Sequence, residues 1–554
     1  MPRLTCTITN GIEMKAASAL AILFFCANAM AAGSVMPAPV PQCTKEELTA
    51  NSPSQDDVAT HRQFKLPSIA YPFGSKMAGD WDWRLTVKVD QNGHVACYSN
   101  VNEDGKPYRI NDQRRKIIQA IATWHYKPFE SNGAPAAAIV SESIDEWHMP
   151  EHHTPLPTTP IEDVHITLEK TTCFGSCPSY RIDLYGDGRV TYRGNSFVDV
   201  KGSHEYGISV HNVEALLQEI RERDLWSRPY MASMSPDAPG CRLTIHMGTA
   251  SHEIQCGGGA ADEVYAHFGV VRQIDFIAKS RMWVNLSKDT ISQLKAENFD
   301  FHSTAAGKIL FRAIVDGETR DDQAILDLMQ LGAPQDEHEQ HGSVFEQINI
   351  SLINAALINR RAILIDPLIS SGALDTDGVR DQTKINDAFI AAIRGGDPNL
   401  VKKIWQIQGN APHPTLIADG KSVALSLEPP YDENRPWQGL EVVQWLVSVG
   451  CEIRGVNERG ETLLHVAARA GDVDLVQFLV DSGLDTSAQD VNHELPLETA
   501  KTEDVAICLL KAGTDLSRLG SGMGYFRNKV QARHWTHVVA WLDEPAQRER
   551  NGRS

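Results

Sequence analysis

The chain is short of the signatures that mark an enzyme. It holds no HExxH pair, no GxSxG elbow, no phosphate-cradling GxxxxGK loop followed by Ser or Thr, and no GxGxxG dinucleotide fingerprint. It is also short of positive charge, with 52 Lys and Arg against 71 Asp and Glu, a formal net charge of -19. Such a chain repels phosphate backbones and anionic lipid, so nucleic acid is set aside as a partner and membrane contact is expected only through other proteins. No apolar run reaches bilayer length: the longest near the start, Ala16 to Cys26, has eleven residues where a spanning helix needs about 20. Cysteine is sparse for the length, so disulfides can pin a fold here but packed cores must carry most of the stability.

What is present begins with an address. Lys15, the apolar run Ala16 to Cys26 and the small-residue stretch Ala27 to Ala32 read as a secretory signal peptide over residues 1–32, with Met14 and Lys15 making a well-formed signal start. Export into the periplasm of a Gram-negative envelope is the expectation, and eight cysteines follow the signal in a compartment that permits disulfides. At 554 residues, 42% hydrophobic and 22% charged, the chain is globular in composition and long enough for three or four units.

Residues 33–61, rich in proline and small polar residues, read as an extended leader without a fold of its own. Residues 62–147 then alternate as a small α+β unit, with a strand from Trp83 to Val89, a turn from Asp90 to His94 and a helix from Asp112 to Trp124. Tyr71 and Pro72, VDQNGHV at Val89 to Val95, WHYKP at Trp124 to Pro128 and the pair Asn132 and Gly133 resemble the C-terminal domain of the TonB family of envelope energy transducers. That resemblance implies a domain that pairs an edge strand or groove with a peptide of another envelope protein.

A proline- and histidine-rich linker covers 148–160, and a second α+β unit covers 161–285. Strands are expected at Val164 to Glu169, Ser179 to Tyr185 and Val190 to Gly194, with a helix from Val210 to Arg223. CFGSCPSY at Cys173 to Tyr180 and YGDGRVTY at Tyr185 to Tyr192 resemble a bacterial domain of uncharacterised function found in exported proteins. Cys173 and Cys177 allow a short-loop disulfide, a redox pair or half a metal site, the structural role being the more ordinary. Turning the chain at Gly248 and Thr249 sets Cys241 opposite Cys256 on a face shared with Leu243, Ile245 and Ile254, and a cross-strand disulfide is the preferred assignment. His148, His152 and His153 beside Glu146 and Glu151 could bind a metal, but a solvated linker accounts for them. Asp187 belongs to turn chemistry.

From Asn298 the apolar period becomes that of helices, and six glycines punctuate it: Gly332, Gly372, Gly409, Gly450, Gly483 and Gly513, spaced 40, 37, 41, 33 and 30 apart. The best copy, NERGETLLHVAARAGDVDLVQFLVDSGLD from Asn457 to Asp485, resembles an ankyrin repeat, with Thr462 capping a helix, His465 bonding across the turn and Leu464 where the family usually has proline. About six repeats over 298–519 are expected, with a capping helix, Asn528 to Trp541, and a polar tail over 520–554.

The fold class expected is therefore an α+β N-terminal half of two small domains followed by an all-α ankyrin-type solenoid. The function expected is a periplasmic scaffold holding a partner protein, without catalysis and without a cofactor or resident metal. Asn457, Glu458, Arg459 and Glu461, on the strongest finger, are the candidate contact residues. Two alternatives stand beside it: an immunity protein neutralising a periplasmic effector, and a thiol redox or metal-dependent protein centred on Cys173 and Cys177.

Overall fold

The structure, a computed structural model, describes residues 39–48, 55–76, 83–102, 106–131, 134–173, 177–228, 240–256, 261–315, 321–336, 350–429 and 437–543. The expected signal peptide, the Asn132–Gly133 pair, residues 174–176 of the CFGSCPSY motif and the tail beyond 543 lie outside the described residues. Among the described residues no helix is long and apolar enough to cross a membrane.

The first unit follows its alternation. Strand β2 (Trp83–Val89), entered after β1 (Ile69–Tyr71), turns Trp83, Leu85, Val87 and Val89 into the core, each fully buried. It pairs on one side with β3 (Val95–Ser99) and on the other with β6 (Ala138–Ile144), all antiparallel. Between them come helix α2 (Asp112–Ala120), capped by the Asn111 side chain, and a hairpin of β4 (Phe129–Ser131) and β5 (Ala134–Ala136). Strand β7 (Glu146–His148) closes the unit by pairing parallel to β1. Two ion pairs pin the interior: Arg62 with Glu142, and Arg114 with Glu146, the latter wholly buried with the guanidinium 5.0 Å from the Trp83 ring centre.

The leader departs from expectation. Residues 55–61 form helix α1 (Gln55–His61), with Val58 buried in the first unit's core, and Cys43 is disulfide-bonded to Cys97 in β3. Burial of one apolar side chain and a covalent tie outweigh the polar composition that reads as unfolded.

The second unit is a six-stranded antiparallel sheet in the order β11-β10-β9-β8-β12-β13. Its strands are β8 (Val164–Lys170), β9 (Ser179–Tyr185), β10 (Arg189–Ser196), β11 (Gly202–Gly207), β12 (Cys241–Met247) and β13 (Ala250–Cys256). Helix α3 (Val210–Glu222) buries Val213, Leu216, Leu217 and Ile220 in the core shared with Ile166, Ile182 and Leu243, and α4 (Ala261–Ile277) joins that core. The linker is held down: His153 bonds Asp224, Thr154 N–H donates to Ser227, and Arg228 donates to the His148 carbonyl. Arg223 stacks over Trp147 and pairs with Asp145, so the two units share a charged seam.

Helices α5 (Arg281–Val284) and α6 (Lys288–Ala296) lead, among the described residues, into six pairs. These are α7 (Thr304–Val315) with α8 (Asp322–Gln330), α9 (Leu352–Ile358) with α10 (Ala362–Ser370), and α11 (Gln382–Gly395) with α12 (Pro398–Gln406). A 3₁₀ turn at Val423–Ser426 with α13 (Gly439–Ser448), α14 (Leu463–Ala470) with α15 (Val473–Asp481), and α16 (Pro496–Thr499) with α17 (Glu503–Lys511) complete them. First helices pack on first helices and second on second, giving an inner and an outer row. Each pair ends on one of the six expected glycines, all left-handed, with φ of 98, 90, 47, 92, 79 and 92°. Residues with a Cβ rarely hold that conformation, which is why glycine marks the period.

The final segment is a correction. The single expected helix from Asn528 to Trp541 is two, α18 (Met523–Ala532) and α19 (Thr536–Asp543), because His534 adopts φ 57° and Trp535 N–H folds back onto Val530 O. One core runs unbroken from Trp147 through the second unit and the stack to Leu542, while the first unit keeps its own. At the junction Trp283 is fully buried, stacked on His204 at 3.9 Å, and Arg312 of α7 donates to the Asp199 carbonyl.

Candidate functional site

Among the described residues, four fingers project ahead of the inner helices. Two are hairpins: β14 (Asp375–Thr376) with β15 (Val379–Arg380), and β16 (Ile417–Ala418) with β17 (Lys421–Ser422). Their turns, Asp377-Gly378 and Asp419-Gly420, put both residues at positive φ, the geometry that matches strand twist in a two-residue hairpin. The other two fingers are closed by backbone bonds, Asn457 N–H to Glu461 O and Asp490 N–H to Glu494 O, each 3.0 Å, with Gly460 N–H and His493 N–H turning back to Asn457 O and Asp490 O. Val491 N–H donates to Arg459 O, joining the third finger to the fourth.

The side chains at the base of the third finger are occupied. Asn457 Oδ1 accepts from the Arg459 and Glu461 backbone, and Asn457 Nδ2 donates to Glu461. Glu461, only 5% exposed, also accepts from Arg459 and Arg469. Burial pushes its carboxyl up, but the bonds from Arg469, Asn457 and Arg459 win and hold it at about 2. Asp490 repeats the Asn457 role, accepting from Asn492 and Glu494 N–H at 2.8 Å. Of the four expected contact residues, Asn457 and Glu461 therefore build the finger, while Glu458 and Arg459 face solvent.

His465 lies beneath, fully buried. Its Nδ1 accepts from Thr462 N–H at 3.1 Å and its Nε2 donates to Glu494 O at 3.0 Å, bridging two fingers. Burial keeps the ring below its ordinary pKa, in keeping with the neutral tautomer those bonds require.

What sequence reading missed are exposed apolar side chains on or beside the fingers. Val379, Ile417 and Val491, on three of the fingers, are 55, 61 and 63% exposed, and Val456, just before the third finger, is 44% exposed. The Asp-Gly dipeptides at 377 and 419 are the signal that could have located the first two.

The other expected sites are placed as follows. Cys173 and Cys177 are disulfide-bonded to each other across three intervening residues. Cys241 is disulfide-bonded, and the register sets it opposite Cys256, with Leu243 opposite Ile254. Sulfurs tied in S–S bonds are not thiolate ligands, so Cys173, Cys177 and Cys241 do not assemble a metal site in this oxidation state. The histidines of the linker are dispersed: His148 bonds Ser75 O, His153 bonds Asp224, and Glu146 belongs to Arg114. Among the described residues no group of three or more His, Cys, Asp or Glu is placed to hold a metal ion. Asp187 Oδ1 accepts from Arg189 N–H, the turn role expected.

Two family models match. "Ankyrin repeats (3 copies)" covers residues 437–518, and "Domain of unknown function (DUF6438)" covers 164–275. Among curated proteins, the E3 ubiquitin-protein ligase KEG of Arabidopsis thaliana is 29% identical over 106 residues, 18% of this chain and 6% of that protein. The Neurogenic locus Notch protein of Drosophila melanogaster is 26% identical over 149 residues, 27% of this chain and 4% of that protein. The chain thus spans a small fraction of either relative's length. Among solved structures, the human ASB11 ankyrin repeat domain is 17% identical with TM-score 0.26, covering 41% of this chain and 92% of that one. The ankyrin repeat domain of Bcl-3, of the IkappaB family, is 21% identical with TM-score 0.22, covering 38% of this chain and 87% of that one. On the family-model match and the helix pairs themselves, the C-terminal region carries ankyrin repeats behind an N-terminal half of mixed strands and helices.

Proposed function

We propose that this chain is an exported scaffold that holds a partner protein on the finger edge of its ankyrin repeats, without catalysing a reaction. One observation carries the reading: among the described residues, four successive fingers fixed by backbone and side-chain bonds each carry or adjoin an exposed apolar side chain. Apolar side chains on rigid supports are what a protein interface uses as anchors, since little ordering entropy is lost on contact. The acidic balance of the chain, net -19, favours a partner with a basic rim.

A periplasmic location is part of the proposal. The signal-like start and the disulfides at Cys43–Cys97 and Cys173–Cys177 support it, because such bonds persist in oxidising compartments. The TonB-like features of the first unit support contact with envelope proteins, and contact with the membrane only through them.

The test is a variant carrying Val379→Asp, Ile417→Asp and Val491→Asp. It is expected to keep the wild-type melting temperature and to lose the periplasmic partner that the wild-type chain retains on a column. Equal retention of that partner by the variant would count against the finger edge.

A further inference from the structure

The outer edge of β3 is not bare. Gln42 bridges Tyr98 in parallel: Tyr98 N–H donates to Pro41 O at 3.0 Å, and Cys43 N–H donates to Tyr98 O at 2.8 Å. Residues 39–43 thus add a short strand to the edge that β2 leaves open on its far side. Below Tyr98 the pairing cannot continue in full. In a parallel ladder the next rung, at Ala96, would draw its donor from residue 41, and Pro41 has no N–H. The segment offers little else: Pro39, Pro41, Gln42, Thr44 and Lys45 are exposed, and only Val40 packs, partly buried, against the core. Its other attachment is covalent, the Cys43–Cys97 disulfide, closing a loop with a sequence separation of 54.

We infer that the β3 edge is a peptide-docking edge, closed in the oxidised protein by the chain's own residues 39–43 and opened when a dithiol reduces Cys43–Cys97. The peptide that fits it is extended and proline-bearing, like the resident segment: it needs an acceptor for Tyr98 N–H, a donor for Tyr98 O two residues later, and no N–H where proline sits. The redox step balances. Cys43 is half-buried whereas Cys97 is 3% exposed, so a thiolate of the dithiol attacks Cys43 Sγ and Cys97 leaves as a thiolate. The second thiolate of the dithiol then attacks its own partner sulfur in the mixed disulfide and releases Cys43. Two electrons and two protons pass from the dithiol, which becomes a disulfide, to Cys43 and Cys97, which become thiols. Two backbone hydrogen bonds and one half-buried valine then hold residues 39–43 on the edge, besides the chain's own continuation toward α1.

This proposal is independent of the finger edge and is tested in the full chain. Hydrogen exchange is followed at the Tyr98 amide, and binding of a fluorescent peptide of residues 39–48, with serine for its cysteine, is followed by anisotropy. The oxidised wild type is expected to protect Tyr98 and to leave the peptide free. Wild type treated with dithiothreitol, and the Cys43→Ser/Cys97→Ser variant, are expected to exchange Tyr98 at least tenfold faster and to bind the peptide, with the Val87 amide in β2 unchanged. Dithiothreitol should add nothing to the variant, which separates this bridge from Cys173–Cys177. Unchanged Tyr98 protection after reduction would overturn the proposal, as would peptide binding to the oxidised wild type at equal affinity. Loss of Val87 protection together with Tyr98 would overturn it too, making the bridge a staple of the whole unit rather than a latch.

Discussion

Replacing Trp283 with alanine is expected to weaken the second unit and the repeats together. Trp283 is fully buried where the two meet, stacked on His204 at 3.9 Å and on Tyr192 at 5.8 Å, and its backbone carbonyl accepts from Val200 N–H. Burying about 200 Å² of indole at about 25 cal/mol per Å² contributes about 5 kcal/mol, an upper figure because an unfolded chain already hides part of that surface. Truncation of large buried aromatics costs about 3–5 kcal/mol, so the expected loss for Trp283→Ala is about 3–5 kcal/mol, and Trp283→Phe, which keeps a ring on His204, should cost roughly half of that. Native-state hydrogen exchange in urea reads it, with amides of β10 and of α7 followed separately. Because one core spans both elements, both sets should lose protection by a similar amount. A loss below about 1 kcal/mol, or a loss confined to β10 with α7 unmoved, would refute the continuity of the junction.

The fingers make three further tests. Glu461 sits at about 2 in the folded chain against an ordinary 4.5, so its stabilisation is full above 4.5 and drains away as pH falls toward 2. Thermal melts of wild type should therefore drop over that window by about 2–3 kcal/mol, and those of Glu461→Gln should drop less; parallel curves would contradict the ion network. His465→Ala strands the Glu494 carbonyl and Thr462 N–H in a buried setting and should cost about 2–3 kcal/mol by denaturant titration, whereas a cost under about 0.5 kcal/mol would mean water replaces the ring. Gly460→Ala meets two penalties, φ of 73° and a Cβ 2.9 Å from Val491 N, and should cost about 1–3 kcal/mol while accelerating exchange of the Val491 amide; unaltered exchange there would show that the fingers do not lean on each other.

Local rules carried much of the architecture. Strand β2 was visible because its apolar residues fall on alternate positions, and the β12–β13 register followed from a two-residue turn at Gly248 and Thr249, which leaves no freedom once placed. The repeat period was visible because the left-handed position that ends each pair is taken by glycine, the residue without a Cβ. Contacts between distant segments were not visible. Nothing near Cys43 points to Cys97, since loop closure over such a span leaves no local trace, and helix α1 forms only because Val58 finds a core made by other strands. The break at His534 lacks the glycine that ends each helix pair, so one helix was read where two exist. For the site, the strongest repeat drew attention to Asn457 and Glu461, which turn out to brace the finger. The exposed valines and isoleucine escaped notice because a lone apolar residue in a polar turn carries no period.

The proposed partner site is the finger edge rather than the outer helices. A photo-crosslinking residue placed at Val491, 63% exposed on the fourth finger, is compared in intact cells with one at Ile363, 51% exposed on the outer helix α10. The result expected is one discrete protein adduct from position 491, abolished by Val379→Asp with Ile417→Asp, and none from position 363. An adduct of equal yield from position 363, or none from position 491 with the full chain exported and folded, would contradict the account.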